Sequence, residues 1–135
     1  MKRLLVAVIA AAGIALETGV AYAQECLGSQ ATIVGTEGND ILTGTSGDDV
    51  IVGLGGNDLI KGMSGSDLIC GSDGDDVIDG GPGNDVIYGG AGDDLLKGQE
   101  GDDSLDGGDG DDLLEGGSGN DLIGEGEEDV DSDAS

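Results

Sequence analysis

The chain has 135 residues, of which 30 are Gly and 30 are Asp or Glu against four Lys or Arg, giving a net charge of −26. It contains no His, Trp or Phe, which excludes imidazole acid–base chemistry, Ser-His-Asp triads and His-ligated metal. So negative a chain repels nucleic acid and anionic membranes. Its composition suits either a disordered acidic polymer or a repeat protein held by something other than a large core.

Residues 1–23 read as a secretory signal peptide. Lys2 and Arg3 form a positive head, Leu4 to Leu16 an apolar stretch too short to span a bilayer, and Ala21-Tyr22-Ala23 a small-x-small cleavage site. The mature chain is expected to begin at Gln24 and to be secreted, in a compartment where disulfides persist. Within residues 24–34, residues 26–34 look like a decayed copy of the repeat that follows, with Ala31 in place of its Asp and Ile33 at its apolar position. They are expected to form an N-terminal capping rung. Cys26 and Cys70 are the only cysteines, and a disulfide between them is expected. Such a bridge requires residues 24–30 to fold back along the outer face of the repeats.

From Gly35 to Gly124 the chain repeats every nine residues, ten times without a slip. Positions one and four are always Gly. Position five is Asn, Asp or Ser, position six is always Asp, and position eight is always Leu or Ile. The glycines permit backbone conformations that a Cβ forbids. Each copy therefore reads as a Gly-rich turn followed by a three-residue strand whose position-eight residue points inward. One copy cannot bury that residue alone, so copies must stack. Two copies make one 18-residue coil, with strands on opposite faces and turns at opposite edges. The predicted fold is all-β, a parallel β-solenoid of about five coils with a length of roughly 24 Å. Residues 125–135 break the pattern and are expected to be a disordered acidic tail.

Stacking aligns the position-six residues in two rows. One edge carries Asp40, Asp58, Asp76, Asp94 and Asp112; the other carries Asp49, Asp67, Asp85, Asp103 and Asp121. Carboxylates about 4.8 Å apart repel by roughly 1 kcal/mol in water and ~3.5 kcal/mol at an effective dielectric of 20. Position five adds more acid at Asp48, Asp75, Asp93, Asp102 and Asp111. A bound cation is the missing stabilising element. The available ligands are hard oxygens, which suit calcium with its six to eight flexible contacts better than magnesium.

The pattern Gly-Gly-x-Gly-x-Asp-x-apolar-x resembles the RTX (repeats-in-toxin) nonapeptide, the hemolysin-type calcium-binding repeat, over residues 35–124. The resemblance implies a parallel β-roll with calcium between neighbouring coils, held by position-six carboxylates and turn carbonyls. It thereby marks the ten Asp residues above as metal ligands. Five turns per edge leave four gaps, so about eight calcium ions are expected. Only four copies carry the double glycine, at Gly80-Gly81, Gly89-Gly90, Gly107-Gly108 and Gly116-Gly117. In the others position two is Thr, Leu, Met, Ser or Gln, and a weaker or altered turn is expected there. The acidic stretches lack the order and the closing Glu of an EF-hand loop.

Position seven is apolar in every copy but one, at Ile41, Val50, Leu59, Leu68, Val77, Val86, Leu95, Leu113 and Leu122, with Ser104 the exception. This column reads either as β-propensity or as an exposed stripe on each face for self-association or a surface partner. The carboxylates recur at every turn, and none stands apart as a dedicated glycosidase pair would. The expected function is therefore non-enzymatic. It is that of a small secreted, stand-alone protein that binds calcium ions between stacked turns and folds as it does so, with no membrane insertion. A calcium-dependent adhesion or surface-assembly module is the alternative. Ice binding ranks behind both, because position two is Thr only at Thr36 and Thr45.

Overall fold

A computed structural model of the chain describes residues 25–124. The expected signal peptide and the expected acidic tail lie outside the described residues. Within them every regular element is a strand. β1 (Glu25–Cys26) and β2 (Ser29–Gln30) pair antiparallel as a small hairpin. Then follow β3 (Ile33–Val34), β4 (Ile41–Thr43), β5 (Val50–Leu54), β6 (Leu59–Lys61), β7 (Leu68–Asp73), β8 (Val77–Pro82), β9 (Val86–Ala91), β10 (Leu95–Glu100), β11 (Ser104–Asp109), β12 (Leu113–Ser118) and β13 (Leu122–Ile123).

These strands alternate between two parallel sheets. One runs β12-β10-β8-β6-β4 and the other β13-β11-β9-β7-β5-β3. The register is constant: Leu59 pairs with Val77, Val77 with Leu95, and Leu95 with Leu113, each 18 residues on. The chain is thus a β-solenoid of about five coils, as the nine-residue period predicts. Between the sheets lies a continuous cluster of position-eight side chains, contributed alternately by the two sheets. Ile51, Ile60, Ile69, Ile78, Ile87, Leu96, Leu105 and Leu114 are fully buried, and Ile33, Leu42 and Ile123 pack at its ends.

The strands are longer than the three residues expected. β7 to β12 are each six residues long and run on through positions one to three of the next copy. Pairing lapses at position one and resumes beyond it: Lys97 pairs with Asp79, and the next partners are Gln99 with Gly81. The left-handed residue at position two lets the chain bend there while still offering its backbone to the neighbouring coil.

A second, smaller apolar cluster lies on the outer face of the six-stranded sheet. Val34, Val52 and Cys70, all at position nine, meet Cys26 and Ala31 there. Cys26 and Cys70 form the expected disulfide, with Cα atoms 5.7 Å apart. The β1–β2 hairpin lies back across the first strands of that sheet, as the bridge requires.

Candidate metal centre

Each position-six Asp stands where the turn ends and the strand begins. The following residue is hydrogen-bonded to the coil before it: Val77 N donates to Asp58 O at 2.8 Å and Leu95 N to Asp76 O at 2.9 Å. This places the Asp side chain inside the turn rather than in solvent. All the position-six carboxylates from Asp49 to Asp112 are buried, and Asp40 and Asp121 are half-buried. The two rows expected from the repeat are present. Each Asp amide donates to Oδ1 of the Asp one coil later, from Asp40 to Asp58 and onward to Asp94 to Asp112 on one edge. The same ladder runs from Asp49 to Asp67 through to Asp103 to Asp121 on the other, at 2.7–2.9 Å throughout.

That ladder uses one oxygen of each carboxylate from Asp58 onward. The other, Oδ2 of Asp58, Asp67, Asp76, Asp85, Asp94, Asp103 and Asp121, is buried with no hydrogen-bond partner. A buried carboxylate oxygen without a donor is costly. These atoms face the position-one glycines. A Cβ on Gly53 would lie 2.5 Å from Asp58 Oδ2 and 2.7 Å from Gly71 O; one on Gly71 would lie 2.5 Å from Asp76 Oδ2 and 2.8 Å from Gly89 O. Position one is Gly because a carboxylate and a carbonyl from two coils crowd the same place.

The electrostatics agree. Burial pushes Asp58 up to about 6 and Asp76, Asp85 and Asp94 up to about 7, and it also raises Asp67 and Asp103. The amide bonded to Oδ1 pulls in the opposite direction, and neighbouring carboxylates raise these values further. Position five plays a different part from the one its charge suggests. Its Oδ1 accepts the amide of the position-five residue one coil later, as in Asp75 N to Asn57 at 2.9 Å and Asp93 N to Asp75 at 2.8 Å. Asn serves there as well as Asp, so this outer ladder is structural.

The first two turns are built differently. Thr36 N and Oγ1 donate to Asp40 Oδ2 at 2.6 and 2.9 Å, and Thr45 N and Oγ1 donate to Asp49 Oδ2 at 2.7 and 3.0 Å. Each hydroxyl also accepts a backbone amide, from Gly38 and Gly47, at 3.0 Å. From the third copy onward positions two and four are both left-handed, including the non-glycine residues Leu54, Met63, Ser72 and Gln99. The altered turn expected at six copies therefore occurs only at two. Unbranched side chains tolerate the left-handed region at modest cost, whereas the β-branched Thr resists it. The roles of Thr36 and Thr45 escape the reading of the sequence; their β-branching at position two is the signal that could have found them.

The donor set fits calcium. Among the described residues no three acidic or thiol side chains converge on one point. A cation would be held by one or two carboxylates completed by turn carbonyls, which suits a flexible oxygen-liganded ion. A search of curated proteins finds no match. A family model described as the RTX calcium-binding nonapeptide repeat, four copies long, matches residues 34–69, 61–96 and 88–123. These matches run through nearly the whole solenoid, and the chain belongs to the RTX calcium-binding nonapeptide repeat family.

Proposed function

We propose that this chain is a secreted calcium-ion-binding protein that completes its fold when calcium enters its turns, and that it is not an enzyme. The observation that carries this reading is the file of buried, partnerless Oδ2 atoms along both edges. The position-six Asp residues and the carbonyls of the adjoining turns would hold the ions, with about eight expected from the gaps between coils. Bound calcium supplies positive charge that offsets carboxylate repulsion and ties neighbouring coils together. The residues do the rest: Asp Oδ1 fixes the coil above, position-one Gly keeps the seat clear, and position eight closes the interior. Coupling of ion binding to folding follows, because the unfolded chain has no such seat.

Circular dichroism in excess chelator and in millimolar calcium, with calorimetry for stoichiometry, tests this reading. Strand signal that rises with calcium and saturates at several ions per chain is the expected result. Equal strand content in chelator and calcium would overturn it. Calcium-dependent assembly is the second reading, favoured by the outward position-seven residues. Ile41 is 78 % exposed and Leu122 is 69 % exposed, and Val77, Val86 and Leu113 also face solvent. Sedimentation with and without calcium separates the two: a calcium-bound monomer supports the simple binder, and calcium-dependent oligomers support assembly.

A further inference from the structure

We propose that the N-terminal coil, residues 25–52, is a metal-independent platform clamped to Cys70, and that ion-dependent coiling starts from it at the third repeat. This inference rests on the calcium reading and refines which turns depend on the ion.

Three successive position-six places at this end carry no orphaned carboxylate. The first holds Ala31, which is buried and uncharged. At the second and third, Asp40 and Asp49 have Oδ2 bonded twice each by Thr36 and Thr45. The Thr amide and hydroxyl do for these two carboxylates what a cation would have to do from Asp58 onward. The backbone agrees with the side chains, since Gly38 and Gly47 are not left-handed while position four is left-handed in all later copies.

Among the described residues, this end also holds contacts that the later coils lack. Thr32 Oγ1 accepts Val50 N at 3.0 Å and donates to Val50 O at 3.1 Å, tying the half-coil above to the first full coil. The small apolar cluster around Cys26 and Val52 adds packing on the outer face. The disulfide fastens the hairpin to β7. In a linear stack the first coil is the hardest to form, because it has no neighbour to pair with. A first coil that needs no ion removes that obstacle and gives the later coils an edge on which to add.

Hydrogen exchange of the full, oxidised chain, read by mass spectrometry in excess EDTA and again in millimolar calcium, tests the proposal. In EDTA, peptides that hold the Gly35, Thr36, Thr45 and Val50 amides, whose acceptors lie within the platform, should exchange at least tenfold more slowly than those of residues 77–118, and calcium should slow the latter to a similar level. The double variant Thr36→Val, Thr45→Val should lose most of the EDTA-resistant protection of residues 33–52. Uniformly fast exchange in EDTA, with protection everywhere in calcium, would overturn the platform and leave the calcium reading standing. Uniformly slow exchange in EDTA would overturn both. Unchanged protection in the double variant would overturn the role given to the two threonines.

Discussion

At the scale of single residues, the turn is governed by which atoms meet Asp Oδ2. Asp76 shows the conflict plainly: its Oδ1 accepts the Asp58 amide, its Oδ2 has no donor, and Gly89 O lies near the same place. Asp76→Asn replaces one of these oxygens with an N–H donor of the same shape. The variant should raise the strand content of the chelated protein and bind fewer calcium ions, read by dichroism and calorimetry on one sample. Position two offers a second test. Met63 is left-handed with φ 78° and its side chain is exposed. A left-handed non-glycine residue costs about 1–2 kcal/mol, part of which glycine gives back through chain entropy. Met63→Gly should therefore stabilise the calcium-loaded protein by up to about 1 kcal/mol, seen as a higher thermal midpoint. Positions one, six and eight reveal their roles in the sequence because each admits only one residue type or one kind of side chain. Position two does not, because Gly, Leu, Met, Ser and Gln share one backbone conformation there, and only Thr departs from it.

At the scale of elements, the nine-residue period is enough to assign strand order, the inward column and the two carboxylate rows. It is not enough for strand length. The extension of β7 to β12 through the glycines depends on a bend at position one and a left-handed position two, neither of which changes the apolar pattern. The hairpin over the outer face is legible only as a requirement of the cysteine pair. Its contacts with Val34, Val52 and Cys70 come from position nine, a column that otherwise holds Thr, Lys, Asp, Tyr, Glu and Gly. The disulfide closes a loop of sequence separation 44. By the chain-entropy argument such a closure contributes about 4 kcal/mol. Cys70→Ser should lower the thermal midpoint in calcium and speed exchange in residues 25–34 most. An unchanged midpoint would mean that the hairpin is held by packing alone.

At the scale of the whole molecule, carboxylate burial couples stability to protons. In an unfolded chain Asp titrates near its ordinary value of 3.8, while Asp76, Asp85 and Asp94 titrate near 7 in the metal-free fold because burial disfavours their charge. A folded-state value above the unfolded one means that protonation favours folding. That contribution is fully present below about pH 4 and is lost as pH rises through about 7. The chelated chain should therefore gain strand signal as pH falls from about 8 to about 5, and its apparent calcium affinity should weaken over the same interval. A flat dichroism signal across that range would contradict this. Surface ion pairing offers little relief: Lys97 and Glu115, both partly exposed, approach to 4.0 Å, and such pairs contribute little.

Because successive copies alternate between the two sheets, the solenoid distinguishes odd from even. Cys70 reaches Cys26 only while its strand falls on the same face as β3 and β5. Excising residues 53–61 would leave a chain of near-identical composition in which every later copy changes sides, carrying the thiol to the opposite wall. Excising residues 71–79 removes as many residues yet leaves that partnership untouched. Thiol titration of the two deletions should find two free sulfhydryls in the first and none in the second, so gain or loss of a single unit upstream of Cys70 would be selected against while the same event downstream is tolerated.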